Sequence, residues 1–87
     1  MIKQFEPHDV AGVMKWVRRA NAKYLRLLAF MPVGKDHILC AYSCAAADTE
    51  MEAEIEHEGG KVIGYYGRTA SPMQVLGDIS ITWEEVA

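Results

Sequence analysis

The fold is decided by a central stretch that begins Tyr24-Leu-Arg-Leu-Leu-Ala-Phe-Met31 and continues to Arg68. Both alternating sets of side chains in its first arm are apolar, and Arg26 is the only charged residue among them. A strand that is apolar on both faces is typical of a central strand of a sheet. The pattern therefore predicts a central strand, with one face made of Leu25, Leu27, Ala29 and Met31 and the other of Tyr24, Leu28 and Phe30.

Turn residues divide this stretch into two predicted hairpins. The segment Pro32–Asp36 has the composition of a turn, because proline presets φ and Gly34 can supply a positive φ. It connects the first arm to a return arm at residues 37–46. Gly59-Gly60 lies between two further runs, and a Gly-Gly pair in that position is a hairpin signal. The second predicted hairpin therefore covers Met51–Arg68.

Five glutamates alternate strictly with other residues in the third arm, over residues 50–58. On a strand this alternation places all five carboxylates on one face, with a repeat of roughly 6.6–6.8 Å. A helix is the alternative, because Thr49 and Glu52 form a capping box and Gly59 suits a helix C-terminus. Three alanines raise the same alternative for residues 38–47. The strand is the preferred interpretation, since the alternation has period two and the helix would be short; the glutamates are Glu50, Glu52, Glu54, Glu56 and Glu58.

The N-terminal region predicts a short edge strand at Ile2–Phe5 and then an amphipathic helix. Pro7 suits the first turn of this helix, which is expected to end near Asn21 or Ala22. Apolar residues at helical spacing form one stripe of the helix, and basic residues form a ridge beside it. The stripe consists of Val10, Val13, Met14, Val17 and Ala20, and the basic residues are Lys15, Arg18, Arg19 and Lys23.

The C-terminal region predicts one more strand at Ile79–Glu84, where apolar and polar residues alternate. The expected fold is α+β and forms a single domain over residues 1–87, since connections are short throughout. In this prediction one N-terminal amphipathic helix packs on an antiparallel sheet of about five strands, which comprises two consecutive hairpins plus a C-terminal strand. Two layers are therefore expected.

Composition and charge limit the classes of function. Half of the residues are apolar and a quarter are charged, which is typical of a globular protein. No apolar run approaches the ~20 residues of a membrane span, and the N-terminus lacks the core of a signal peptide, so a cytoplasmic protein is expected. Residues 1–35 carry a net charge of +5 and residues 36–87 a net charge of −8. This segregation predicts charged partners or self-pairing.

No motif predicts catalysis, a metal or a cofactor. His37, Cys40, Cys44 and His57 are the only plausible soft-metal set, but their spacing matches no standard zinc finger. Both cysteines are therefore expected to be small core residues. A pocket lined by His37, Cys40 and Tyr42 is the only basis for an enzyme or sensor, and the preferred prediction is a protein without enzymatic activity.

The preferred functional hypothesis is a protein-binding module whose acidic strand face docks on a basic surface of a partner, including a surface that binds nucleic acid. Phage-encoded inhibitors such as anti-CRISPR proteins are similar in size and charge. Tyr65 and Tyr66 are added to the predicted site, because one of two adjacent strand residues points outward and tyrosine is enriched at binding hot spots.

The basic residues of the helix form a secondary face, on which direct nucleic-acid binding is not expected because the protein is net acidic. The alternative function is a self-assembling structural or adaptor protein, a homodimer in which the basic helix of one copy meets the acidic hairpin of the other.

Overall fold

The computed structural model describes residues 2–6 and 8–87, so the predicted helix start at Pro7 lies outside the described residues. Within the described part of the chain there are four strands and three helices, which confirms the α+β class. The counts differ from the predicted one helix and about five strands, because residues 49–57 and 79–84 are helical. In chain order the elements are β1 (Ile2–Phe5), α1 (Val10–Arg18), β2 (Leu25–Val33), β3 (Asp36–Cys44), α2 (Thr49–His57), β4 (Lys61–Tyr66) and α3 (Pro72–Val86).

The four strands form one antiparallel sheet in the order β1-β3-β2-β4. The first predicted hairpin is confirmed: β2 and β3 pair over their whole length, from Leu25 opposite Cys44 to Val33 opposite Asp36. Its turn is shorter than predicted and consists of Gly34 and Lys35, with Gly34 at a φ of 62°. β2 lies between two neighbours and β1 lies at an edge, as the sequence predicts.

The two faces of the sheet are covered by different helices. On one face, here called the two-helix face, α1 and α3 bury Leu28, Phe30 and Leu39 under their apolar stripes. On the opposite face, here called the one-helix face, α2 alone covers Leu27 and Ala29. The predicted split of β2 into two apolar faces is therefore correct. The two-layer architecture is wrong, because helices lie on both sides of the sheet.

The second predicted hairpin is not formed, because residues 49–57 are α2 and not a strand. The side chain of Asp48 caps the helix by accepting a hydrogen bond from the amide of Met51 at 3.0 Å. Gly59, at a φ of 86°, ends it: its amide donates to the carbonyl of Glu56, and the next amide donates to the carbonyl of Ile55. This pair of bonds is a Schellman motif, so the Gly-Gly pair that predicted a hairpin turn is a helix C-cap.

The predicted C-terminal strand is also wrong, because residues 79–84 lie inside α3. The helix begins with Pro72, whose missing amide hydrogen costs nothing at that position. Val75, Ile79 and Thr82 are spaced four and three residues apart, and all three are buried. This helical stripe packs on the sheet, where the Trp83 and Phe30 ring centroids are 5.2 Å apart.

The predicted apolar stripe of α1 is confirmed, since Val13, Met14, Val17 and Ala20 are buried. The helix ends at Arg18, with Arg19 as its C-cap, which is earlier than predicted. Lys23 therefore lies in the loop after α1, where its amide donates to the side chain of Asn21. The basic ridge on the helix itself consists of Lys15, Arg18 and Arg19, which are all exposed.

Candidate functional site

The N-terminus of α2 is fixed to the sheet by Tyr65 of β4. The Tyr65 hydroxyl donates a hydrogen bond to the Asp48 carbonyl at 3.0 Å and accepts one from the Asp48 amide at 2.9 Å. Ile55 fixes the middle of the helix, since it is 4% exposed and packs in the core of the one-helix face. These contacts give α2 a defined position although it has only nine residues.

A groove of about 350 Å³ lies beside α2 on this face. Apolar side chains from β2, β3 and α2 contribute to its lining, together with two carboxylates, those of Glu54 on α2 and of Glu58 at its C-cap. We call this site the α2 groove; it is lined by Met31, Tyr42, Ser43, Met51, Glu54, Ile55 and Glu58. Since α2 alone covers this face, the half-buried Met31 and Tyr42 remain partly accessible beside it.

The five glutamates do not share one face. Residues four apart on a helix lie on the same flank, so Glu50, Glu54 and Glu58 form a ridge on the groove side with intervals of about 6 Å. Glu52 and Glu56 lie on the other flank and do not line the groove. The predicted single row of five carboxylates is therefore wrong, and it is replaced by two shorter rows.

Tyr42 connects the apolar and acidic parts of the α2 groove. Burial raises the pKa of the Tyr42 hydroxyl above its ordinary value, and nearby Cys40 and Glu58 raise it further. Tyr42 is thus neutral at physiological pH and presents an aromatic face and a hydroxyl beside the carboxylates.

The expectation that Tyr65 or Tyr66 is an exposed hot spot is not met. Tyr66 is 4% exposed and faces the two-helix side, where its hydroxyl donates to Asp78 at 2.6 Å. Burial and this hydrogen bond raise the pKa of Tyr66. Tyr65 is half-buried and both of its hydrogen bonds hold α2, so its role is to position the groove.

The basic residues of α1 lie on the opposite side of the sheet from the α2 groove. A separate groove of about 390 Å³ between β1 and α1 is lined in part by Lys3, Lys15 and Arg19. The Arg26 guanidinium lies 4.2 Å from the centre of the Trp16 ring, and its Nη1 donates to Ser43 at 2.8 Å. Arg26 therefore occupies one face of Trp16, which lines this basic groove.

A metal site at His37, Cys40, Cys44 and His57 is considered in the sequence analysis but not predicted. Within residues 2–6 and 8–87, no three His, Cys, Asp or Glu side chains are placed to hold a metal ion. Cys40 and Cys44 are buried, free thiols on β3. Burial raises the pKa of both thiols, and Asp48 adds to the effect at Cys44. Neither thiol is therefore activated as a nucleophile at neutral pH.

A larger depression of about 710 Å³ lies at the β2–β3 turn, where Glu6, Asp36, His37 and Trp83 contribute to its lining. It contains none of the glutamates of α2.

In the described part of the chain, no helix is both long and apolar enough to cross a membrane.

Sequence reasoning missed Met31 as a site residue and placed Tyr42 only in an enzyme-like pocket. The available signal is that Met31 belongs to the predicted face of β2 that contains Leu27, and Tyr42 pairs with Leu27 across the hairpin. Comparison of the chain with known protein families, with curated proteins and with solved structures gives no match in any of the three.

Proposed function

We propose that this chain is a small non-enzymatic binding protein that docks a basic segment of a protein partner in the α2 groove. The observation that carries the proposal is the combination, in one groove, of an apolar floor and two carboxylates on the rim. An arginine or lysine side chain matches both parts. Its aliphatic stem fits against Met31 and Ile55, and its cationic head reaches Glu54 or Glu58.

Charge and spacing support this choice of partner. The groove-side ridge of Glu50, Glu54 and Glu58 repeats at about 6 Å along the helix, so it presents a regular row of negative charge. A partner that binds nucleic acid carries a complementary row of basic residues. Phage-type inhibitors that occupy such a surface, anti-CRISPR proteins among them, are the functional class that the proposal fits.

The test is affinity capture from cell lysate at low and at high salt, with the captured proteins identified by mass. Three baits are compared: the wild type, the double variant Glu54→Lys with Glu58→Lys, and the double variant Glu52→Lys with Glu56→Lys. The second pair is a matched control, because it makes the same charge change at the same spacing on the other flank of the same helix.

The proposal predicts a basic partner that the wild type and the Glu52/Glu56 control retain and that salt elutes. The Glu54/Glu58 variant is expected to retain at least about tenfold less, since the two reversals replace two attractive contacts with like-charge repulsion. Equal retention by all three baits would contradict the proposal. Replacing Tyr42 by Ala should weaken capture without changing its dependence on salt.

The alternative function, self-assembly through the basic helix and the acidic segment, is favoured by one observation. α1 and α2 cover opposite faces of the sheet, so α1 of one copy can meet α2 of the next. Such a contact is head-to-tail and builds rows of copies in place of a closed dimer. Sedimentation should then show growth with concentration at low salt. A monomer at low and at high salt, at tens of micromolar, ends this alternative.

A further inference from the structure

The outward side of α3 exposes two large apolar side chains. Met73 is 83% exposed and Ile81 is 61% exposed. Gly77 lies midway between them, so the three residues are four apart and share one flank of the helix. A Cβ atom added at Gly77 would meet nothing within 4 Å outside its chain neighbours and the nearby backbone of α3. We call this surface the α3 stripe; it is about 12 Å long.

The α3 stripe is complementary to itself. If a second α3 lies antiparallel to the first, with a twofold axis at Gly77, Met73 of each copy meets Ile81 of the other. The two Gly77 residues then meet at the crossing point, where the absence of side chains lets the helix backbones approach closely. An interface of this kind uses the same patch on both copies, which is the commonest arrangement in soluble oligomers.

The charges at the two ends of the stripe are complementary in the same arrangement. Arg68 precedes α3 and Glu84 lies in its last turn, and both are exposed. An antiparallel partner brings Glu84 of one copy to the end of the stripe at which Arg68 of the other copy lies. The first turn of α3 has no acidic residue and Ser71 makes no capping bond with its side chain, so a partner carboxylate there also complements the helix dipole.

We propose that a second copy of this chain docks on the α3 stripe and forms an antiparallel, twofold-symmetric dimer. The interface is centred on single helices, so its area lies at the low end for specific complexes and its dissociation constant is expected at roughly 10–100 µM. α3 covers the two-helix face and α2 the other face. Both α2 grooves therefore remain open in the dimer.

The test is sedimentation velocity over concentrations below and above that range, at high salt. The wild type is compared with Gly77→Lys and with the control Ala53→Lys, which adds the same side chain at an exposed position of α2. Lysine has a higher helix propensity than glycine and Gly77 faces open space, so Gly77→Lys is expected to fold at least as well; thermal unfolding checks this.

The expected result is a concentration-dependent dimer for the wild type and for Ala53→Lys, with a dissociation constant at least about tenfold weaker for Gly77→Lys. At low salt, Arg68→Glu should weaken the dimer several-fold, and adding Glu84→Arg should recover most of the loss. A wild type that stays monomeric throughout, or a dimer that Gly77→Lys leaves unchanged, would overturn the proposal. Association that only the Glu54/Glu58 variant abolishes would also overturn it, in favour of the head-to-tail contact.

Discussion

The two faces of the sheet differ in how completely they are covered. On the two-helix face, α1 and α3 enclose a cluster of eleven buried residues. On the one-helix face, the nine residues of α2 enclose a cluster of four, and Met31, Tyr42 and Val62 around it remain partly exposed. The first face has the structure of a closed core. The second has a smaller core with a groove beside it.

This chain of 87 residues has its larger core on one face of the sheet and leaves more of the other face accessible. A chain of this size buries somewhat over ~60% of the surface that its unfolded form exposes, so its core is thin. The larger buried cluster is therefore expected to contribute more to stability than the smaller one. A face that is covered by a single short helix can then leave apolar and acidic groups accessible.

The largest effect is expected for Phe30→Ala on the two-helix face. Phe30 is fully buried and packs against Trp83, so its removal leaves a cavity in the closed core. The free energy of unfolding should fall by about 3–5 kcal/mol, measured by urea denaturation. A loss below about 1.5 kcal/mol would mean that this face is not the main core.

A smaller effect is expected for Ile55→Ala on the one-helix face. Ile55 is 4% exposed, but it lies beside the α2 groove, and the short helix can move inward to fill part of the space. We expect a loss of about 2–3 kcal/mol, at the low end for this substitution. Hydrogen exchange should show faster exchange concentrated in α2 and little change in α1. A loss equal to that of Phe30→Ala, spread over all helices, would remove the distinction between the faces.

Tyr65→Phe should reduce stability by about 1–2 kcal/mol. The substitution keeps the aromatic ring but removes both hydrogen bonds to the backbone of Asp48. Because these bonds hold the N-terminus of α2, the loss of amide protection should begin there. Tyr24→Phe is a suitable control, since Tyr24 is 45% exposed, and it should change stability by less than about 0.5 kcal/mol. Equal effects of the two substitutions would contradict the positioning role of Tyr65.

The smallest effect is expected for a change of pH near neutrality. The pKa values of Cys40, Cys44, Tyr42 and Tyr65 on the one-helix face are raised, chiefly by burial, and so is that of Tyr66. A raised pKa means that the folded state retains a proton that the unfolded state releases. These five groups should therefore not change the free energy of unfolding below about pH 8.5, the ordinary pKa of cysteine. The free energy of unfolding should fall above that pH, and fall further above about pH 10, the ordinary pKa of tyrosine.

Urea unfolding at about pH 7, 9 and 10.5 measures this dependence across the ordinary pKa values of cysteine and tyrosine. Tyr66→Phe should flatten the decline above about pH 10, because it removes the group on the two-helix face whose pKa is most strongly raised. A free energy of unfolding that stays constant or rises over this range would contradict the prediction.

The β2–β3 hairpin and α1 were predictable because their patterns are long and fit one period. Residues 50–58 were not, because the spacing of Met51 and Ile55 satisfies a strand and a helix equally. What decides for the helix is tertiary: Tyr65 binds Asp48 from 17 residues away, and Ile55 packs on β2. The sequence of α3 is ambiguous in the same way. The spacing of Ile79 and Trp83 fits both a strand and a helix, but the exposed Ile81 fits only the helix.

The candidate site was predictable only in its charges. The glutamates were visible in the sequence, but the strand interpretation placed five of them in one row. The helix separates Glu54 and Glu58 from Glu56, and the fold adds Met31 and Tyr42 from two strands. No local rule combines these residues, because they become neighbours only when α2 packs against the sheet.

The most direct test of the central claim, that the one-helix face binds basic segments, is a titration of the ¹⁵N-labelled protein with a peptide of alternating arginine and leucine. If the peptide binds on this face, amide signals around Met31, Tyr42, Ile55 and Glu58 should shift, and the shifts should weaken as salt is added. Shifts that are confined to α1 and α3, or no shifts at all, would contradict the claim.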